Sequence, residues 1–298
     1  MRIVDAHRHL WDLSQNYHPW LCDEPRITFR YGDYQEICHN YLPEDYDRDS
    51  VGYTVVGSVH VEAEWDSTNP VAETRWLDTI APDCHHAFVI VAQAHLDREG
   101  IAEVLRAHAA SPNVRGVRHK PATSATAYNA KRGGAGSMDD PRWRDGFSHL
   151  SSYGFSFDLQ VPFWHLDQAA DLARDFPKTT IILNHTGLPG NRDQESLTPW
   201  RNAMELLAVE PNSAVKISGL GLPGQPWTVA SNLDVVRDAI SIFGVDRCMF
   251  GSNFPVDRLC ATFDQLYRGF NEIVSDYCEQ DRDKLFRSNA IDYYRMNV

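Results

Sequence analysis

Short β-branched runs alternate with amphipathic stretches along the whole 298-residue chain, and this limits the fold more than any other feature. Strands are expected at RIVDAHRHL (2–10), TVVGSVHVEA (54–63), AFVIVAQAHL (87–96) and VRGVRHKP (114–121). Four more are expected at FSFDLQVPF (155–163), TTIILNHTG (179–187), AVKISGL (214–220) and RCMFGSNFP (247–255). Between them, helical spacing falls near 70–81, 98–110, 141–152, 165–175, 199–209 and 231–243, with a C-terminal pair near 261–277 and 281–295. Strand and helix in turn are the signature of a parallel sheet with crossover helices. Eight repeats in a chain of this length predict one α/β domain over residues 1–298, a (β/α)8 TIM barrel. A doubly wound open sheet is the weaker reading. It needs fewer strands and a glycine-rich phosphate turn after the first, where HRHLWD stands instead.

The connections are unequal. Segments 11–50, 122–140, 188–198 and 221–230 after strands one, four, six and seven are long, whereas 82–86 and 176–178 are short. In such a barrel the long loops follow the C-terminal strand ends, where active sites are built. The formal charge of −13 argues against nucleic acid and anionic membrane surfaces as partners and leaves a small-molecule substrate. The six cysteines are scattered without a C-x-x-C pair, no leader precedes Asp5, and no apolar run approaches a membrane span. A reduced, cytoplasmic protein is expected, with homo-oligomerisation left open.

Residues in chemically apt positions sit at the strand ends. His7 and His9 share one face of the first strand while Arg8 points away, a spacing suited to a divalent metal or to direct contact with substrate. His185 ends the apolar run of strand six, and Arg118 with His119 ends strand four, where a cation suits a carboxylate or a developing oxyanion. His60 and Glu62 share a face of strand two. Asp158, Gln160 and Lys216 interrupt other strands and are read as satisfied in the core or at the rim. Strand eight ends in Asn253, where a metal-dependent hydrolase of this fold needs a carboxylate, and an amide is no general base. Asp257, four residues on, is either a stand-in that folds back over the barrel mouth or an N-cap for the helix near 261. The first loop is rich in aromatics and cations (Trp11, Tyr17, Trp20, Arg26, Arg30, Tyr31, Tyr34) and reads as a lid over the pocket.

DAHRHLWD, HPWL, RWLD, VRGVRH, DLQV, ILNHTGLP, KISGL, MFGSNFP and LFRSNAIDYYRM, in order along nearly the whole chain, resemble the amidohydrolase superfamily. Within it they resemble the branch of sugar-lactone and 2-pyrone-4,6-dicarboxylate lactonase-like hydrolases. The resemblance implies a distorted TIM barrel that hydrolyses a lactone ring. By position it makes His7 and His9 the strand-one pair, His185 the strand-six histidine and Arg118 the polarising cation. The family's strand-eight aspartate falls on Asn253, so either Asp257 has taken its role as base, or this subgroup works differently, or the activity is not hydrolysis by water. His60, His119, Asn253 and Trp11 are expected to contact substrate. His7, His9 and His185 would hold one divalent ion, zinc first, if a metal is bound, and metal-free operation is equally compatible. A metal-dependent decarboxylase or hydratase, or a barrel that binds ligand without a catalytic base, are the alternatives.

Overall fold

The computed structural model describes residues 1–298. All eight expected runs become strands: β1 (Arg2–Arg8), β2 (Thr54–Val61), β3 (Ala87–Gln93), β4 (Val114–Arg118), β5 (Ser156–Leu159), β6 (Ile181–Leu183), β7 (Ser213–Ile217) and β8 (Cys248–Phe250). They lie side by side in sequence order, and every neighbouring pair is parallel. The ring closes just beyond β8, where Asn253 N donates to His7 O and His9 N donates to Phe254 O, each at 2.7 Å. The closure therefore places the two histidines directly against the strand-eight end. The molecule is a (β/α)8 barrel. None of its helices is long and apolar enough to cross a membrane.

Alternation sorts the side chains into two apolar layers. Val59, Val61, Val89, Val91, Ile182, Ala214 and Met249 fill the barrel, together with Val4, Ala6 and, from the C-terminal segment, Tyr294 and Met296. Residues of opposite phase, such as Ile3, Ile90, Val117 and Phe250, pack outward against the helices. On β1 the phase changes. The register against β2 shifts between Asp5 and Arg8, so that Asp5 pairs with Ser58 but Arg8 with His60. This β-bulge inserts one extra residue and re-aims the side chains beyond it. Val4 and Ala6 face inward before it, and His7 and His9 face inward after it. Arg8 is sent outward, where its guanidinium lies over Tyr46 and Phe88 at 4.9 and 5.0 Å.

Several strands end earlier than their apolar runs. β6 stops at Leu183 because His185 and Thr186 turn into the left-handed region (φ 55° and 51°), and β8 is followed by Asn253 at φ 56°. Pro162 limits the run containing β5. One helix begins well before its expected start near 199, spanning Gln194–Ala208 with Pro199 inside it. The side chain of Asp193 caps it by accepting from Ser196 N, and this start signal outweighs the hydrogen bond that Pro199 cannot make.

Candidate active site

A cavity of about 270 Å³ opens at the C-terminal ends of the strands. His9, His185, Asn253, Arg118 and Gln160 reach it from the barrel, Glu64 and Lys120 from the strand-end loops, and Trp20, Phe29 and Arg30 from the long first loop. That loop packs its own aromatics, with Trp20 stacked on Phe29 at 5.6 Å and Phe29 tilted on Tyr34 at 5.0 Å, and lays them across the mouth. Tyr17 lies outside this cluster, exposed and bonded to Asp23.

Three imidazoles form the floor. The His7 ring lies 5.1 Å from His9 and 4.5 Å from His185, centroid to centroid, and is fully buried with neither nitrogen hydrogen-bonded. His185 takes a left-handed backbone (φ 55°) where the chain turns out of β6. Gly219 makes room for it, since a Cβ there would stand 2.4 Å from His185 Nδ1. His185 Nδ1 is bonded to Ser218 Oγ at 2.9 Å, a partner that carried no signal in the sequence. Burial, then the charges of Arg30 and Arg118, hold His185 well below the ordinary histidine range. Burial and Arg118 do the same to His9.

The polarity around His9 is fixed by its neighbours. Nδ1 lies 2.7 Å from the Val61 carbonyl, which only accepts, so Nδ1 carries the hydrogen and Nε2 of the neutral ring is bare. Nε2 faces Asn253 Oδ1 at 3.3 Å. Asn253 in turn donates its Nδ2 to Asp257 Oδ1 at 2.7 Å. Asp257 is buried in the turn Val256–Leu259, behind Asn253 and off the cavity wall. It is no N-cap, because Thr262 caps the following helix Phe263–Ile273 by accepting from Gln265 N. Burial raises its pKa to about 6 against the opposing pull of Arg30, Asn253 and Tyr31.

Arg118 is not a free cation. Its Nε donates to Glu62 Oε1 and one terminal nitrogen to Glu62 O, both at 2.5 Å, while the other donates to Gln160 Oε1 at 3.0 Å. Of five guanidinium hydrogens these take three, and two remain for a ligand. Burial raises the Glu62 pKa, but Arg118 and Lys120 outweigh it and bring the carboxyl down to about 2. Below the imidazoles, Asp158 and Lys216 are fully buried and paired at 2.6 Å, with Tyr294 donating to Asp158 at 2.8 Å.

Three residues expected to contact substrate stand elsewhere. His60 lies between the inward Val59 and Val61, so it faces out, accepting from Leu10 N and reaching Glu73 on the helix Ala72–Ile80 at 3.1 Å. His119 follows the inward Arg118 and also faces out, its Nδ1 accepting from Leu96 N and Trp143 Nε1. Trp11 is fully buried behind His9, ring stacked at 6.2 Å, and donates Nε1 to His39 O. Thr28 and Phe29 stand on the cavity wall without any mark in the sequence, since loop residues carry no periodicity to place them.

The expected metal set fares differently. His7, His9 and His185 gather, yet no three His, Cys, Asp or Glu side chains surround a common point. Strand eight offers a neutral amide that adds no anionic ligand, and Arg30, Arg118 and Lys216 impose positive charge on the same space. These residues do not fit a formed divalent-cation site.

The amidohydrolase family model, Amidohydro_2, matches residues 4–296. The uncharacterized protein y4mH of Sinorhizobium fredii is 39% identical over 294 residues, 99% of this chain and 98% of that protein. An L-fucono-1,5-lactonase of Burkholderia ambifaria is 25% identical over 304 residues, 99% of this chain and 96% of its own. A crystal structure of an amidohydrolase from Burkholderia multivorans with bound zinc superposes with a TM-score of 0.77 at 23% identity over the full length of both chains, a likeness of fold. The chain belongs to the amidohydrolase family and is a hydrolase of that barrel type.

Proposed function

We propose that this protein opens a lactone, sugar-derived or carboxylated, with water activated by His9. The observation that carries the reading is the pair of acceptors on the cavity wall. With Nδ1–H committed to Val61 and the Asn253 amide nitrogen committed to Asp257, His9 Nε2 and Asn253 Oδ1 meet at 3.3 Å with no hydrogen between them, an unfavourable contact of two acceptors that a donor entering from the cavity relieves. A water donating one hydrogen to each is oriented with its oxygen toward the cavity. Burial keeps His9 unprotonated at neutral pH, so Nε2 accepts the proton as the water oxygen bonds to the acyl carbon. The carbonyl oxygen gains charge facing the two uncommitted Arg118 hydrogens and His185 Nε2, which carries a hydrogen when Nδ1 accepts from Ser218. When the ring C–O bond breaks, the His9 imidazolium returns its proton to the departing alkoxide and a hydroxy acid leaves. No step runs through a metal.

Similarity to the L-fucono-1,5-lactonase supports this reading, as do Arg30 and the two uncommitted Arg118 hydrogens, donors suited to a polar or carboxylated ring, while Lys120 is paired with Glu64 at the rim. The test is acid release in a pH-indicator assay against sugar and carboxylated lactones, L-fucono-1,5-lactone among them. Turnover of at least one is expected. Saturable binding of several lactones with acid released from none would instead make this a ligand-binding barrel.

A further inference from the structure

We propose that Tyr31, from the first loop, is a positioning residue that sets the polarity of the Asn253 amide through Asp257. The inference rests on the hydrolase reading for its kinetic consequence, but its geometry stands apart from it.

The Tyr31 hydroxyl accepts from an Arg30 terminal nitrogen at 2.6 Å and lies 3.3 Å from Gly221 N, a second donor. With both acceptor positions taken, its own hydrogen has one destination, Asp257 Oδ1 at 2.8 Å and 226 residues away in sequence. An ionised Asp257 only accepts, and the Tyr31 hydrogen bond favours that ionised form, so the Asn253 group facing Oδ1 is the NH2. That forces Asn253 Oδ1 toward His9 Nε2. Turning the amide over would aim Oδ1 at a carboxylate and place a donor beside the bare imidazole nitrogen. The donor would then occupy the lone pair that the attacking water needs. Tyr31, Asp257, Asn253 and His9 are between 1% and 7% exposed, so bulk water does not substitute for any member of the chain. Arg30 is anchored on Gly219 O at 2.8 Å and also lines the cavity. Loop position and site polarity are one hydrogen-bonded unit.

A loop anchor alone would make the same Tyr31 contact, so the test separates stability from orientation. Tyr31→Phe keeps the ring that packs on Phe29 at 5.7 Å and removes only the hydroxyl. Two readouts apply to the folded variant, with Asp257→Asn as a second probe should Tyr31→Phe unfold. In asparagine-labelled protein, the Asn253 side-chain NH2 resonances, identified by their loss in Asn253→Ala, are expected to show slowed exchange in wild type and to lose it in the variant. With any lactone the enzyme turns over, kcat is expected to fall at least about tenfold at nearly constant KM. Unchanged Asn253 resonances would overturn the proposal whatever the protein hydrolyses. Altered resonances with an unchanged kcat would overturn the link to catalysis. Without turnover of any lactone, the resonances alone decide the orientation, and only the lactonase reading falls.

Discussion

Asn253 Nδ2 and Asp257 Oδ1 are joined across 2.7 Å within one turn of chain, and both side chains are almost wholly buried. In the proposed mechanism the carboxylate beyond strand eight aims an amide, and the amide oxygen is the group that meets His9. This sets the order of two mutants. Asn253→Ala removes the acceptor itself and is expected to lower kcat more than Asp257→Asn, which leaves an amide free to choose its orientation. Were Asp257 the base in person, steady-state kinetics would show the reverse order.

His185 presents its ring to the cavity from a strained backbone position, with Nδ1 held by Ser218. His185→Ala is expected to cost roughly a hundredfold in kcat, the scale of losing one charge-stabilising donor. Near wild-type turnover on the same lactone would remove it from the mechanism.

The pKa of Asp257 is raised by burial from 3.8 to about 6. A carboxyl whose folded pKa lies above its unfolded value contributes stability that is complete below the unfolded pKa and is lost as pH rises through the folded one. Wild type is therefore expected to lose roughly 2 kcal/mol between pH 4 and pH 7 from this group, a loss that Asp257→Asn escapes. Urea unfolding of both proteins across that range measures it. A constant difference between them would refute it. The same ionisation is needed to hold the amide, so kcat/KM is expected to fall as pH drops below about 6.

The three gathered imidazoles share no common ligand point, and Asn253 offers an amide where a carboxylate would add an anionic ligand. Asn253→Asp is expected to tighten zinc at least tenfold, read by competition with a chromophoric chelator. Equal affinity in the two proteins would put the limit on the placement of the rings instead. Prolonged dialysis of wild type against a strong chelator is expected to leave lactone turnover intact.

Much of the molecule was legible in the chain. Eight apolar runs set the barrel, because a strand buried on both faces must be apolar throughout and a crossover helix must be amphipathic. Breaks in those runs marked His7, His9, Arg118, His185 and Asn253 as chemically exceptional, and the last four line the cavity while the His7 ring lies beneath them. The phase of SVHVEA even held the placement of His60, since Val59 and Val61 had the stronger claim on the barrel interior. Tertiary structure alone decided direction. The β1 bulge that turns His7 and His9 inward depends on register with β2, a property of two strands that neither contains. Equally, no local pattern reveals that a tyrosine at position 31 donates to an aspartate at 257, nor that the aspartate faces an amide before it faces substrate. Periodicity is written residue by residue, whereas the polarity of a buried hydrogen-bond chain exists only once its distant members meet.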